Sequence, residues 1–279
     1  MSSVRAGSSE RPRQSSTTFG FVVAGLAVVV GIWALIAARQ PTVVVASPAE
    51  TIGRLVDIGG RDVAGAIVTT GWRALRGTLA GVVLGIILGL VTGRSDTADE
   101  LLRSSRALLT GAPPIVLLVL LSIWVGLDGD PTPWVAGAAA APLVWLAVHV
   151  AVRAIDPELL EMAAGLHVGE WWTLRHVTVP AVGPAIRSSG TYAAANAFRI
   201  TIMAELFVSS NGIGAEIAAA RNSLDTPAVF AWALVAVAAA LFLEAVTLSI
   251  RRRARVSVTQ SAHHGGRLPE ASAARMPST

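Results

Sequence analysis

Long apolar runs separated by short polar segments dominate this chain. A helix needs about 20 residues to cross a hydrocarbon core of about 30 Å, and six runs approach or exceed that length. They predict six transmembrane helices, at residues 19–38, 68–93, 107–127, 132–152, 184–206 and 226–250. Helices are favoured because each backbone group in lipid must be satisfied internally. The alternating pattern of a membrane barrel is missing, so the chain is predicted to be an all-α membrane protein.

The composition supports the same class. Hydrophobic residues make up 53% of the chain and charged residues 14%, with a mean hydropathy of +0.61, which is more apolar than an ordinary soluble domain. Residues 1–17 and 254–279 are rich in small and polar residues and predict disordered tails around a membrane domain at 18–253. The first apolar run is longer than a signal-peptide core, so we expect it to be a retained helix.

The charge distribution predicts the orientation. The net charge is +4, and every basic residue other than His is an Arg. Six spans put both termini on one side, and most arginines outside the spans fall on that side. The positive-inside rule therefore predicts that both termini are cytoplasmic. Because the Arg residues cluster beside apolar runs, they indicate membrane topology and not nucleic-acid binding. The chain has no Cys, which excludes disulfides and thiolate metal sites.

The second apolar run carries a glycine at every fourth position. On a helix these residues form one smooth stripe, which lets a neighbouring helix approach closely. The stripe predicts helix packing, either within the chain or against another subunit, and it indicates no chemistry. Its members are Gly77, Gly81, Gly85, Gly89 and Gly93.

A stretch of mixed polar and apolar residues at 155–180 lies between two apolar runs, on the predicted cytoplasmic side. Asp156 and Pro157 favour a helix start, and acidic residues suit the turns that follow. Glycines then interrupt the helix, and a second segment with paired Trp runs to a boundary at Pro180. The pattern predicts a helical hairpin. On the residues alone, docking into a protein groove and lying on the lipid surface are equal alternatives.

This stretch resembles the EAA loop of ABC-importer permeases, which runs Glu-Ala-Ala, a Gly a few residues on, and a hydrophobic-hydrophobic-Pro ending. DPELLEMAA followed by WWTLRHVTVP keeps the family spacing from Glu161 to Pro180. The resemblance extends over roughly residues 45–252, where SPAETIGRL, RALRGTLAGVVLGIILGLVTGRS, GAPPIVLLVLLSIWVGL and AELFVSSNGIG follow the family's order. This combination is similar to the nitrate, sulfonate and taurine branch, which also includes thiamine-precursor carriers.

The resemblance implies a type I ABC-importer fold with a cytoplasmic coupling hairpin. It also implies a location in the bacterial inner membrane and a dimer with a second permease copy around a central path. Cytoplasmic ABC ATPase subunits are expected to dock on the hairpin, and an external binding protein or lipoprotein to deliver the solute. No cofactor, metal or catalytic residue is implied in this subunit. By matching position, the ATPase-coupling residues are Glu158, Glu161, Ala163, Ala164, His167, Gly169, Trp171 and Pro180.

The hairpin departs from the family pattern at two positions. Met162 stands where the family has Ala, and His167 stands where it has Gly, with Gly165 and Gly169 on either side. A Gly permits a left-handed turn that His adopts less readily, so the sequence suggests a turn moved to a neighbouring Gly. A pH-switch or metal-ligand role for His167 is disfavoured, because a single His lacks partners.

The fifth apolar run carries polar residues within a narrow sector of the predicted helix, at steps of three or four. Ionisable residues in a membrane usually face an aqueous cavity or the bundle interior. One hypothesis is that this face lines the translocation path and that its Arg attracts an anionic solute. The alternative is that the Arg snorkels to the interface or pairs with an acid. The path residues of this hypothesis are Tyr192, Asn196, Arg199 and Met203.

A tight turn is predicted after the fifth run. Glu205 lies on the opposite side of the same helix from the polar sector and matches the family's Glu before an outer turn. The resemblance assigns Glu205, Gly212 and Gly214 to the outer gate. A structural role for Glu205 is favoured over direct contact with the solute.

Enzyme motifs are missing from the sequence: it contains no HExxH, Walker A, GxSxG or dinucleotide fingerprint. The chain is therefore not predicted to be an enzyme, and ATP hydrolysis is expected in a separate subunit. A proton-coupled secondary transporter is the alternative function, since it also uses polar intramembrane residues, but it needs no docking hairpin. The resemblance suggests a small anionic solute (sulfonate, nitrate or taurine-like), selected largely by the binding protein.

Overall fold

The computed structural model consists of α-helices joined by short loops over the residues it describes, 15–125 and 129–265. The all-α prediction is confirmed for these residues. The helices are α1 (Ser15–Ala37), α2 (Pro48–Ile58), α3 (Gly60–Arg94), α4 (Asp96–Gly111), α5 (Pro114–Val125), α6 (Thr132–Arg153), α7 (Pro157–Gly165), α8 (Glu170–Thr173), α9 (Val179–Val208), α10 (Ile213–Asn222) and α11 (Thr226–Gly265), with a π-helical turn (Leu174–Thr178) between α8 and α9.

The core is built on the contact between α3 and α6, the largest interface in the fold. All five residues of the glycine stripe are buried and face α6. A methyl group added at Gly81 would come within 2.8 Å of the Ala140 Cβ, and one added at Gly89 within 2.6 Å of the Val148 Cβ. Cβ atoms do not pack so closely, so the lack of a side chain on this face of α3 lets α6 approach its backbone. The glycine stripe therefore packs against α6 of the same chain.

α9 packs against α6 and runs in the opposite direction. Near the start of α6, Val135 clusters with Ala204 from the end of α9. Near the end of α6, Val152 clusters with Val182 from the start of α9. We call the end of the bundle at which α6 begins the upper end, and the end at which α6 finishes the lower end. α9 thus connects the two ends.

The remaining helices close the bundle around α3 and α9. In the upper part, Trp232 of α11 and Ile213 of α10 share an apolar cluster with Phe198 of α9. α1 joins the bundle through Trp33, whose indole N–H donates to the Ala46 carbonyl at 2.9 Å and whose ring stacks on Phe230. These contacts lie towards the upper end of the bundle.

Within the part of the chain that the structure describes, three helices are long and apolar enough to cross a membrane: Gly60–Arg94, Thr132–Arg153 and Thr226–Ser249. A fourth is reached if α4 and α5, which meet at a bend of 104°, count as one span. The prediction of six spans therefore stays a prediction.

The single helix predicted over 107–127 is corrected by the structure. α4 ends at Gly111 and α5 begins at Pro114, while residues 126–128 lie outside the described residues. The cause is the Pro pair: Pro113 offers no N–H to a helix and biases the residue before it towards extended backbone. Ala112 accordingly has φ −70° and ψ 126°.

The structure also shifts several predicted boundaries. α1 begins at Ser15 and α11 continues to Gly265, so both helices enter the segments predicted as tails. The rest of those tails, 1–14 and 266–279, lies outside the described residues. α9 is longer than its predicted span of 184–206 and reaches from Val179 to Val208.

Candidate functional site

The predicted hairpin begins with a capped helix at the lower end. α7 starts after Asp156, whose carboxylate accepts a hydrogen bond from the Glu158 backbone N–H at 3.0 Å. This is the local pairing that a short polar residue provides before the first helical turn. The cap and Pro157 explain why the chain turns back into a helix directly after α6.

His167 forms the turn that ends α7. Its φ is 54°, whereas Gly169 has φ −64°, so the turn has not moved to the neighbouring Gly. The His167 N–H donates to the Ala164 carbonyl at 2.9 Å, and the Val168 N–H donates to the Ala163 carbonyl at 3.3 Å. These two bonds form a Schellman motif, which satisfies the last carbonyls of the helix and offsets the strain of a left-handed His.

The second limb of the hairpin continues without a break into α9. Backbone angles are helical from Glu170 onward, and the Val179 N–H bonds to the Leu174 carbonyl across the π turn. The sequence predicted a boundary at Pro180, and the structure corrects this prediction. The helix continues through Pro180. The wider π turn accommodates a residue that has no N–H and whose ring crowds the carbonyl four residues earlier.

The surface of the hairpin is exposed and largely apolar. Among the coupling residues, Ala163 is buried, whereas Glu158, Glu161, Ala164, His167, Gly169, Trp171 and Pro180 are exposed. Leu166 and Trp171 are 71% and 72% exposed. We call the following residues the hairpin patch: Leu159, Leu160, Met162, Leu166, Trp171 and Trp172.

At the upper end, Arg73 of α3 donates hydrogen bonds to three other segments. Its Nε donates to Asp130 Oδ2 at 2.7 Å before α6, and its Nη1 donates to Glu205 Oε1 at 2.9 Å on α9. Nη1 and Nη2 also donate to the backbone and side-chain oxygens of Asn211, both at 2.7 Å. The Arg73 side chain is only 12% exposed. We call Thr70, Arg73, Asp130, Glu205 and Asn211 the polar knot.

Glu205 is the buried centre of the polar knot, with no exposed surface. Besides the bond from Arg73, its Oε2 accepts from the Thr70 hydroxyl at 2.8 Å and the Gly214 N–H at 3.1 Å. The Thr70 hydroxyl oxygen accepts in turn from the Ile213 N–H at 2.9 Å. A buried carboxylate requires such a set of donors, and both oxygens of Glu205 have them.

Gly212 leaves the space that the Glu205 carboxylate occupies, and Gly214 lets the turn lie close against the backbone of α9. Gly212 has φ 103°, a backbone conformation suited to Gly. A Cβ added at Gly214 would lie 2.7 Å from the Glu205 Cβ and 2.8 Å from the Leu206 backbone N. The structure thus brings the three residues of the predicted outer turn into one site.

The sequence did not identify Thr70, Arg73 or Asp130 as site residues. They contributed only to the composition and the charge. The available signal was an Arg close to an apolar span, which calls for an acidic partner. Partial burial acts to raise the pKa of Asp130, but hydrogen bonds from Thr132 and Arg73 outweigh it and hold this pKa below its usual value. Among residues 15–125 and 129–265, no group of three or more His, Asp or Glu is placed to hold a metal ion.

The predicted path residues form a partly exposed stripe on α9. Tyr192 and Arg199 are exposed, and Asn196 and Met203 are half-buried. Arg199 Nη2 lies 2.7 Å from Glu244 Oε2 of α11, and the two side chains are 54% and 45% exposed. The structure therefore shows the acid-paired arrangement, on a face that α6 does not cover.

Apolar spanning helices, a buried polar knot and an exposed helical hairpin define a membrane transport subunit. Residues 81–256 match the family described as binding-protein-dependent transport system inner membrane component. This is more than half of the chain, and the chain belongs to that family. It is accordingly a multi-pass inner-membrane permease of the ABC-importer class, in which ATP hydrolysis belongs to a separate subunit.

Two curated relatives give the range of similarity. SsuC of Escherichia coli K12, named for aliphatic sulfonate transport, is 31% identical over 58% of this chain and 62% of its own length. The chain thus spans less than two thirds of that relative. A protein of Brucella melitensis biotype 1, named as an ABC transporter permease, is 26% identical over 85% of this chain and 96% of its own length.

The fold also resembles a solved structure. A chain of the inward-facing MetNI methionine ABC transporter superposes with a TM-score of 0.54 at 17% identity. The match covers 69% of this chain and 94% of that chain. This likeness shows a common fold, that of type I ABC-importer permeases.

Proposed function

We propose that this chain, with a second copy of itself, forms the membrane path of an ATP-driven importer for a small anionic solute. The hairpin carries the proposal. It presents large apolar side chains to the outside at one end of the bundle, and its second limb is one continuous helix with α9. An ATPase that moved the hairpin would move α9.

Docking of a soluble ATPase explains the hairpin better than contact with lipid does. The hairpin exposes Glu158, Glu161 and Glu170 against one arginine, Arg175, and a surplus of acids is repelled by anionic lipid headgroups. A protein groove with basic residues at its rim would match both the apolar and the acidic groups. The lower end is then cytoplasmic, which agrees with the arginines there and with the positive-inside rule.

The stripe of Tyr192, Asn196, Arg199 and Met203 lines the translocation path in this proposal. A half-exposed ion pair between Arg199 and Glu244 is costly against lipid, and a water-filled path beside a second copy would solvate it. The outer end is the upper end, where the binding protein delivers the solute and the turn at Gly212–Gly214 contributes to the gate. An anionic solute is supported by the relative named for aliphatic sulfonates.

The ATPase contact can be tested by crosslinking, because the chain has no Cys. Leu166→Cys in the hairpin and Ser210→Cys at the upper end would each carry a photo-crosslinker in a chain co-expressed with candidate ABC ATPase subunits. We expect Leu166→Cys alone to crosslink an ATPase. Failure to retain any ATPase, together with uptake that needs no ATP, would instead establish the proton-coupled transporter.

The solute path can be tested through the ion pair. Uptake of radiolabelled nitrate, ethanesulfonate and taurine would be compared for Arg199→Gln, Glu244→Gln and the double variant. If Arg199 attracts an anion, Arg199→Gln lowers uptake most, because it leaves Glu244 uncompensated, and the double variant is intermediate. Equal uptake by all variants at normal assembly would reject a role of Arg199 with the solute.

A further inference from the structure

α9 joins the two candidate sites mechanically. The helical path runs from Glu170 in the hairpin through the π turn to Val208. α9 alone has 30 residues, which at helical rise is about 45 Å. Glu205 lies three residues before its upper end. A displacement of the hairpin would therefore reach Glu205 along one helix, which has Pro184 within it.

At the upper end, Arg73 is the joint between α9 and α3. Its guanidinium bonds to Glu205 on α9 and to both oxygens of Asn211 in the turn that follows. Opening this turn on its own would break the two bonds to Asn211 and those of the Ile213 and Gly214 backbone N–H groups. Glu205 would keep its bonds from Arg73 and Thr70, but the buried N–H groups would lose their partners, which is unfavourable.

We propose that Arg73 is a positioning residue for transport, which clamps the upper end of α9 and the α9–α10 turn to α3. A movement received at the hairpin then carries α3 together with α9. The turn is a fixed part of this α3–α9 body and not a flap that opens by itself. The inference rests on the proposed function, because it requires an ATPase that moves the hairpin.

The experiment follows the two ends of α9 separately, in the complete complex with its ATPase and binding protein in nanodiscs. The rate of vanadate-sensitive ATP hydrolysis reports the lower end. Ser210→Cys reports the upper end through its labelling rate with a membrane-impermeant maleimide, since Ser210 is exposed beside the polar knot. With Arg73 intact, we expect trapping with ATP and vanadate to change this labelling rate several-fold.

Arg73→Gln is expected to uncouple the two ends. ATP hydrolysis per complex persists, while the labelling rate of Ser210→Cys becomes the same in the nucleotide-free and trapped states. A merely structural role would instead lower the yield of assembled complex and leave both signals normal in the complexes that do assemble. Arg73→Lys keeps the charge but lacks the planar fork that reaches several acceptors, so its labelling response falls between the two.

The double variant Arg73→Gln/Glu205→Gln distinguishes a loss of coupling from a folding defect. Removing both charges restores the yield of assembled complex but not the bonds to Asn211 and Asp130, so the Ser210→Cys response stays lost. Arg76→Gln is the matched control, since Arg76 lies one turn away over the Trp72 ring, 5.8 Å from its centroid, and should leave both readouts unchanged.

Two results would overturn the clamp: a normal Ser210→Cys response in Arg73→Gln, or its full recovery in the double variant. The second would mean that Arg73 only neutralises Glu205. If the complex with intact Arg73 binds no ATPase and hydrolyses no ATP, the proposed function fails instead, so the two failures are distinguishable.

Discussion

The polar knot and the hairpin patch lie at opposite ends of α9 and differ in how far the chain itself satisfies them. In the knot, Glu205 is fully buried and accepts bonds from three residues, two on α3 and one on α10. In the patch, Leu166 and Trp171 leave more than two thirds of their surface exposed. Buried groups with complete pairing are typical of a structural site, and clustered exposed apolar groups are typical of a binding surface.

This difference predicts opposite responses to substitution. Changes in the knot should alter the free energy of unfolding, because Thr70 and Glu205 are fully buried and Arg73 is nearly so. Changes in the hairpin patch should leave that free energy nearly constant and alter the affinity for the ATPase. A knot variant that changed only the affinity for the ATPase, or a patch variant that changed only the free energy of unfolding, would show that burial alone does not distinguish the two regions.

Gly214→Ala should have the largest effect. The added methyl would lie 2.7 Å from the Glu205 Cβ and 2.8 Å from the Leu206 backbone N, and neither atom can rotate away. We expect a loss of about 3 kcal/mol or more in the free energy of unfolding, seen as low yield and a lowered Tm in detergent. Gly190→Ala is the control, because its methyl would meet Val82 at an ordinary 3.9 Å. Equal loss in both variants would refute the steric argument.

Trp171→Ala should affect binding and not stability. Because Trp171 is 72% exposed, the free energy of unfolding should change by no more than about 0.5 kcal/mol. Binding of the ATPase should weaken by about 2 kcal/mol, roughly 30-fold, if the indole fills a groove in the partner. Titration of the purified ATPase onto nanodisc-held permease measures this.

Trp124→Ala on α5 is the matched control, since Trp124 is 75% exposed and lies away from the hairpin. It should leave ATPase binding unchanged. A drop in Tm for Trp171→Ala without any change in affinity would contradict the assignment of the hairpin patch as a docking surface.

The parts of the fold that depend on near neighbours could be predicted from the sequence. The glycine stripe follows from residues four positions apart, and the start of α7 follows from its local cap. The break between Gly111 and Pro114 was missed because the run is apolar throughout, and length and hydropathy alone do not register a Pro pair.

The polar knot could not be predicted, because its bonds join distant parts of the chain. Arg73 and Glu205 are 132 positions apart, and no periodicity links them. The sequence marked Glu205 and its glycines by resemblance, but the Arg that pairs with Glu205 emerged only from the packing of α3 against α9. The left-handed backbone of His167 could not be predicted for another reason. Residue preference disfavours this conformation for His, and the two Schellman bonds outweigh that preference.

His167→Gly tests whether the hairpin stores strain that the partner needs. Gly removes the cost of the left-handed backbone, about 1 kcal/mol, and should raise the Tm of the permease while ATPase binding stays within a factor of about two. Leu224→Gly is the control, because Leu224 also has a positive φ, 58°, but lies outside the hairpin. A large loss of ATPase binding in His167→Gly alone would mean that the imidazole itself contacts the partner.

Arg54→Gln should have the smallest effect and isolates the role of burial in the polar knot. Arg54 pairs with Asp225 at 2.8 Å, a distance similar to those of Arg73, but the two side chains are 42% and 29% exposed. Water and salt screen such a pair, so its removal should cost at most about 1 kcal/mol, and less at high ionic strength. Removing Arg73 from the buried pair should cost about 3–5 kcal/mol, with little dependence on salt. Thermal unfolding of both variants at low and high salt measures the difference. Equal costs would mean that burial is not what distinguishes the knot from the surface of the protein.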